Sequence, residues 1–168
     1  SIMLVVMGSF APVQAKVTDK DLDVVFRALG FMNSSPSGTL RAAIVHDPSN
    51  ADSRGEAKQL QSLLKGGKSA KGITLEPVMV KAGNIAKMAD ADIAFITTGM
   101  IGHHDAIKSK AMANDLFTVT TDKSCVKAGA CIMFVQSSPS VQITVNAETA
   151  DKTGIGFSSA FSMMIDEI

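Results

Sequence analysis

Apolar residues at helical spacing follow a capping sequence near the start of the chain. Thr18 and Asp21 form a capping-box pattern, in which each side chain bonds a free backbone N–H group of the other residue. Four apolar residues then recur along one helical face: Leu22, Val25, Phe26 and Leu29. The pattern predicts a first helix that runs to about Met32, where the turn-rich tract 33–39 ends it.

Short apolar segments alternate with helical patterns through the middle of the chain. The segments bounded by turn residues are predicted strands: 40–45, 73–80, 91–96 and 116–119. Helical patterns separate them: one marked by Ala57, Leu60 and Leu64, one near 84–88 and one over 101–113. Strands that alternate with helices favour right-handed β–α–β connections and a mostly parallel sheet covered on both faces.

The last third of the chain has a different pattern. Residues 131–136 and 141–146 are apolar segments on either side of a Ser-Ser-Pro-Ser turn, which is typical of an antiparallel hairpin. A short helix is predicted at 147–152, followed by an amphipathic tail over 157–168. The whole pattern predicts an α/β fold, a three-layer α/β/α sandwich whose mixed, mostly parallel sheet ends in an antiparallel hairpin.

The composition excludes some classes of partner. The 168 residues are 46% hydrophobic and 19% charged, which fits one ordinary globular domain. Sixteen basic residues balance sixteen acidic ones, so no positive excess is present to bind a nucleic-acid backbone. Trp and Tyr are absent, which removes the stacking surfaces that base and sugar recognition use. We therefore expect no nucleic-acid partner.

The first fifteen residues carry no charge and resemble the end of a secretory signal peptide. An apolar run from Ile2 to Met7 precedes a small-residue site that ends at Ala15. The run is far shorter than the roughly 20 apolar residues that span a bilayer. We therefore expect a signal-peptide remnant at 1–15, export to the periplasm and one α/β domain at 16–168. If residues 1–15 remain, their apolar side chains need a cover. The first helix can supply it, as can the apolar side chains of the tail: Phe157, Phe161, Met163, Met164 and Ile165. Contact with either, on the same or a neighbouring chain, predicts a homodimer or larger assembly, and the alternative is a remnant that lies over the surface or packs only in a crystal.

Cys125 and Cys131 are the only cysteines, and Gly129 between them lets the chain turn back. In an exported protein the default expectation for such a pair is a disulfide. The spacing is not Cys-x-x-Cys, which makes a thioredoxin-type redox site a poor fit. A labile, regulatory bridge remains the alternative to a structural one.

The sequence offers no recognisable catalytic or metal-binding set. His103 and His104 start a predicted helix, where adjacent side chains point about 100° apart and cannot easily bind one ion from a single face. We expect both to be solvated, and His46 to end a buried strand without metal partners. No Gly-x-Ser-x-Gly elbow, Walker loop or Gly-x-Gly-x-x-Gly fingerprint occurs. These observations favour a protein that is not an enzyme and uses no cofactor or metal.

Polar clusters follow predicted strands at three places. The candidate ligand-binding residues in them are Asp47, Ser49, Asn50, Ser53, Thr97, Thr98, Thr120 and Thr121. In open α/β sheets, ligands bind beyond the carboxyl ends of the strands, where helix N-termini offer free N–H groups. These side chains are therefore candidates to bind a small polar or anionic ligand. The alternative is that they only cap helices and shape turns.

The part of the chain from Leu116 onward resembles the YfiR family of small periplasmic proteins. The matching features are the Cys125 and Cys131 pair in a Gly-containing loop, the hairpin, Gly154-Ile155, and Ser158-Ser159 before an apolar tail. The resemblance implies a compact α/β/α sandwich, often dimeric, that in the best-known member represses a membrane-bound diguanylate cyclase by binding its periplasmic region. One departure is the end of the first helix, Leu-Gly-Phe-Met-Asn, which lacks the aromatic-Trp-Pro ending common in the family.

The middle of the chain is similar to one lobe of the tryptophan-type substrate-binding proteins of ABC transporters. Residues 47–53 and the pair Thr97-Thr98 correspond to cleft-lining segments of that family. Two lobes enclose the ligand in those proteins, and this chain has length for one. The leading prediction is a periplasmic regulator that binds an inner-membrane signalling protein and so affects cyclic-di-GMP. The alternative is a single-lobe solute-binding protein.

Overall fold

An eight-stranded sheet forms the middle layer of the structure, a computed structural model that describes residues 17–168. The strands are β1 (Gly38–His46), β2 (Lys68–Ala70), β3 (Ile73–Lys81), β4 (Ile93–Ile96), β5 (Phe117–Thr120), β6 (Met133–Gln136), β7 (Gln142–Val145) and β8 (Asp166–Glu167). The helices are α1 (Asp19–Gly30), α2 (Ala51–Leu64), α3 (His104–Ala113), α4 (Lys123–Lys127), α5 (Ala147–Lys152) and α6 (Ser159–Ser162). Two 3-10 segments, Ala82–Asp90 and Ile101–His103, precede β4 and α3.

The strand order places a topological switch point in the centre of the sheet. The order is β2-β3-β1-β4-β5-β6-β7-β8, and the five strands from β3 to β6 are parallel. From β1 the chain moves outward to β3, then returns to place β4 on the other side of β1. The loops after β1 and β4 therefore diverge from one point, which is where open α/β sheets bind ligands.

Each face of the sheet buries its own core, because alternate strand residues point to opposite faces. In β1, Ala42 and Ile44 face α1 and α2, whereas Ala43 and Val45 face α3 and α4. Phe161 of the tail joins the first core and stacks near Phe31 at a centroid distance of 5.7 Å. The predicted three-layer sandwich with a mixed, mostly parallel sheet and an antiparallel β6–β7 hairpin is confirmed.

The first helix starts as its capping pattern predicts. The Asp21 carboxylate accepts the Thr18 backbone N–H at 2.8 Å, and the helix ends at Gly30, two residues before the predicted Met32. The predicted signal-peptide residues 1–15 lie outside the described residues. No helix within 17–168 is long and apolar enough to cross a bilayer.

The amphipathic tail differs from its prediction. Phe161 is completely buried and Phe157 is half-buried against Phe117, so only part of the tail presents an apolar surface. Helix α6 has four residues, and the chain then forms β8, which pairs in parallel with β7. The Phe side chains of the tail therefore belong to the core of this chain.

Candidate functional site

The three polar loops meet at the carboxyl edge of β1, β4 and β5. Ser53, which is fully buried, lies 2.7 Å from Thr97 between their hydroxyl oxygens. The Thr97 hydroxyl donates to the Val45 carbonyl at 3.0 Å, so Ser53 is the donor to Thr97. Ser53 in turn accepts the backbone N–H of Asp47 at 2.8 Å. These bonds connect the loop after β1 to the loop after β4.

Residues of the first loop cap α2 and fix their own turn. Asn50 accepts the backbone N–H groups of Asp52 and Ser53, both at 3.0 Å, as the N-cap of α2. Asp47 accepts the backbone N–H of Ser49 at 2.9 Å and its hydroxyl at 2.6 Å. The bonds from Ser49 lower the pKa of Asp47 below its ordinary value. The capping role considered for these residues is therefore present in the structure.

Glu56 of α2 bonds the loops after β4 and β5, and the sequence pattern did not single it out. Its side chain accepts the Thr98 backbone N–H at 2.9 Å and the Thr121 hydroxyl. The residue is only 7% exposed, and this burial raises the pKa of its carboxyl despite the two hydrogen bonds. Glu56 lies three residues after Ser53 and four before Leu60, on the buried face of α2. That helical spacing was the available signal.

Thr120 and Thr121 follow β5 at the same edge. The Thr120 hydroxyl accepts the backbone N–H of Asp122 at 2.9 Å, and Asp122 caps α4 by accepting the Ser124 N–H at 3.0 Å. The hydroxyls of Ser53, Thr97 and Thr121 thus all bond within the protein. Assignment of these residues to a ligand stays a prediction.

The space enclosed at this edge is small. A cavity of about 10 Å³ lies between α1, α2 and the sheet, and its polar lining comes from Asp21, Glu56, Thr120 and Thr121. One ordered water needs roughly 10–15 Å³ by the same kind of measure. The buried side chains of the convergent loops therefore form a closed hydrogen-bonded network beside this cavity, which has room for a water at most.

The prediction for His104 was wrong. Its side chain is buried, with the residue 6% exposed, and Nε2 has no hydrogen-bond partner within residues 17–168. It is buried because α3 begins at His104 and packs on the sheet, and this burial lowers its pKa. His103 is half-buried, with Nε2 at 3.5 Å from an Asp47 carboxylate oxygen. His46 is buried at the end of β1 as predicted.

Cys125 and Cys131 form the predicted disulfide. Their Cα atoms are 5.3 Å apart, one in α4 and the other just before β6, and both residues are fully buried. Gly129 takes a positive φ of 70° and turns the chain between them, a conformation that glycine adopts without strain. No group of three metal-ligating side chains forms in the described part of the chain.

Solved structures with this fold include proteins that bind small molecules. The ligand-free, open form of CD0873, a substrate binding protein with adhesive properties from Clostridium difficile, has a TM-score of 0.65 at 12% identity over 89% of this chain. An ABC domain in complex with L-Trp from Streptococcus pneumoniae has a TM-score of 0.60 at 11% identity over 84% of this chain. A conserved domain protein from Vibrio cholerae O1 biovar eltor has a TM-score of 0.60 at 14% identity over 89% of this chain.

These similarities show the fold alone, because identities this low carry no function with them. The chain spans 59%, 58% and 59% of the three proteins, respectively. No curated protein matches the chain. A family model described as YfiR/HmsC-like matches residues 39–163, a range that contains both cysteines, the hairpin and the Gly154-Ile155 pair. The chain therefore belongs to the YfiR/HmsC-like family.

Proposed function

We propose that this protein is a periplasmic regulator that binds the periplasmic part of an inner-membrane signalling protein. Membership of the YfiR/HmsC-like family over residues 39–163 carries the proposal. By the resemblance described above, the partner is a membrane-bound diguanylate cyclase, which the regulator represses by contact. A buried disulfide supports residence in an oxidising compartment. The protein acts by binding and needs no cofactor.

The closed network at the carboxyl edge favours a protein partner over a small solute. A solute that reached Ser53, Thr97 or Thr121 would have to replace bonds that these hydroxyls already make. Leaving a buried hydrogen-bonding group without a partner costs about 1–3 kcal/mol. Only contacts that compensate for this cost would open the site.

The tail offers an exposed apolar surface for such a contact. We define the tail patch as Met163, Met164 and Ile168, which all remain exposed, Met163 at 88%. The three side chains lie within six positions of the chain, and methionine adapts its shape to varied partners. We propose that the tail patch contacts the signalling protein.

Capture from membranes tests the partner. Tagged protein, kept oxidised, should recover an inner-membrane protein that carries a diguanylate cyclase domain. The Met163→Ser/Met164→Ser variant should recover much less, whereas Ile101→Ser, which changes another exposed apolar residue, should recover as much as the wild type. Gene deletion should raise cyclic-di-GMP. Failure to recover a membrane partner, together with unchanged cyclic-di-GMP, would exclude this function.

A single-lobe solute-binding protein is the second candidate. The loops after β1, β4 and β5 converge at the switch point, and open α/β sheets in general bind ligands there, which favours this function. A thermal-shift screen against amino acids and small anions tests it. A ligand at 100 times its dissociation constant should add about 2.7 kcal/mol to the free energy of unfolding. If such a ligand loses its effect in Ser53→Ala and Thr121→Ala but not in Ser69→Ala, which changes an exposed serine on edge strand β2, the solute function holds.

A further inference from the structure

A second and much larger cavity lies at the opposite edge of the sheet. It measures about 250 Å³ and opens among the amino ends of β1, β4 and β5, between the end of α1 and the segment that follows α5. We name it the amino-edge cavity. A single water needs only roughly 10–15 Å³, so this space can admit an organic molecule.

The floor of the amino-edge cavity is apolar. Leu29, Leu40, Phe117 and Ile155 line it, and all four side chains are otherwise buried in the first core. The rim is polar, because Asp92 and Asp115 lie beside it and are exposed to solvent. An occupant with an apolar body and a polar end would match both parts.

The charges at the rim have one sign. Neither Asp92 nor Asp115 forms an ion pair within residues 17–168, and no Lys, Arg or His lines the cavity there. Helices α1 and α3 both end at this edge, at Gly30 and Ala113. The carboxyl ends of helices carry partial negative charge, which attracts cations. The electrostatic environment therefore favours a positive ligand.

Backbone hydrogen bonds hold the segments that carry the two carboxylates. Asp92 exchanges two hydrogen bonds with Arg41: its carboxylate accepts the Arg41 N–H at 2.8 Å, and its own N–H donates to the Arg41 carbonyl at 2.9 Å. Asp115 follows α3 with a positive φ of 48°, in the turn where Leu116 bonds back to Ala111. The Asp92 carboxylate is thus held in place, and a held group loses little conformational freedom when a ligand binds, which favours affinity.

We infer that the amino-edge cavity binds a small organic cation, with its ammonium group between Asp92 and Asp115 and its aliphatic body on the apolar floor. The site is separate from the closed network at the carboxyl edge and from the tail patch. Its ligand class is the aliphatic amine with a branched or short chain.

Calorimetric titration of the full chain with isoamylammonium and with its uncharged isostere, isoamyl alcohol, tests the inference. The ammonium should bind saturably, at least about tenfold more tightly than the alcohol, and weaken as salt screens the carboxylates. Amide NMR signals of Asp92, Asp115 and Phe117 should shift with the same affinity.

Matched variants assign the charge effect to the cavity. Asp92→Asn/Asp115→Asn keeps an acceptor for Arg41 and a residue that tolerates positive φ, yet should weaken isoamylammonium binding at least about tenfold. Asp23→Asn/Asp151→Asn removes two exposed carboxylates elsewhere and should leave binding unchanged. Three results would overturn the inference: equal affinity for alcohol and ammonium, equal weakening by both variant pairs, or no saturable binding to the wild type.

Discussion

Glu56 is a buried carboxylate that connects the loops after β4 and β5 at the carboxyl edge. Because burial raises its pKa, the folded protein binds this proton more tightly than the unfolded chain does. The contribution of Glu56 to stability therefore declines as the pH rises from the ordinary value of 4.5 through the raised pKa of the folded state. Glutamine at this position can still accept from Thr98, and its amide can donate to Thr121.

The Glu56→Gln variant should gain stability relative to the wild type as the pH rises. Urea unfolding of both proteins between about pH 4 and pH 8 measures this, and other titrating groups cancel in the difference. Glu56→Ala leaves the Thr98 N–H and the Thr121 hydroxyl without their partner and should lose about 1–3 kcal/mol at low pH, a loss that shrinks as the pH rises. Parallel stability curves for the glutamine variant and the wild type would contradict the argument.

Residue types that favour caps and turns were predictable, and buried charges were not. Ser53 and Thr97 were placed at one sheet edge because hydroxyl residues after strands cap helices there. Glu56 was missed because a glutamate on a helix is ordinarily solvated, and tertiary packing, with bonds from the loops after β4 and β5, buries this one. His104 was wrongly predicted to be solvated, because the sequence does not reveal which side of a helix start packs against the sheet.

Gly99 in the loop after β4 packs directly on the cap of α2. It has a positive φ of 75°, and a Cβ there would lie 2.7 Å from the Asn50 side-chain oxygen. Gly99→Ala should therefore lose at least about 1 kcal/mol, because it strains the backbone and displaces the cap. Gly102→Ala is the control, since a Cβ there meets no atom within 4 Å. Chemical denaturation of both variants gives the comparison, and similar losses would refute the packing argument.

The disulfide holds a short segment, α4 and the turn after it. Its two cysteines are six positions apart, and closing so short a loop stabilises the folded state by about 2–2.5 kcal/mol in the chain-entropy model. Cys125→Ser/Cys131→Ser should lose about that much and remain folded. Urea unfolding with and without reductant measures the loss. Complete unfolding of the reduced protein would show instead that the bridge is essential to the whole fold.

Long periodic elements followed from the sequence, whereas very short ones did not. Strand β1 and helix α2 each repeat their pattern over enough residues to be recognised. Strand β2 has three residues and β8 has two, and both exist because a neighbouring strand pairs with them. Helix α4 has five residues and depends on the Asp122 cap and the disulfide beside it. Such elements depend on tertiary contacts more than on local pattern.

Self-association is the prediction for the molecule as a whole. Val17 is buried, and Thr18 lies 3.4 Å from Ser137 between their hydroxyl oxygens, so the described chain begins beside the β6–β7 hairpin. A groove of about 430 Å³, lined by Val17 and Leu63 among others, opens at this point. We expect the chain that starts at Ser1 to form a dimer or larger assembly through its apolar N-terminal residues. The chain that starts at Lys16 should form a smaller assembly. Light scattering decides, and equal monomeric masses would exclude assembly through this segment.

The two ends of the sheet limit how copies of the molecule can join. Its outer strands, β2 and β8, are the shortest in the sheet, with Lys68 on one and Asp166 and Glu167 on the other. Short edge strands that carry charge resist the addition of strands from other chains. Copies of this chain therefore have little means to extend the sheet into fibrils. Helix faces and loops, and not strand addition, are therefore the surfaces through which copies of this chain can join.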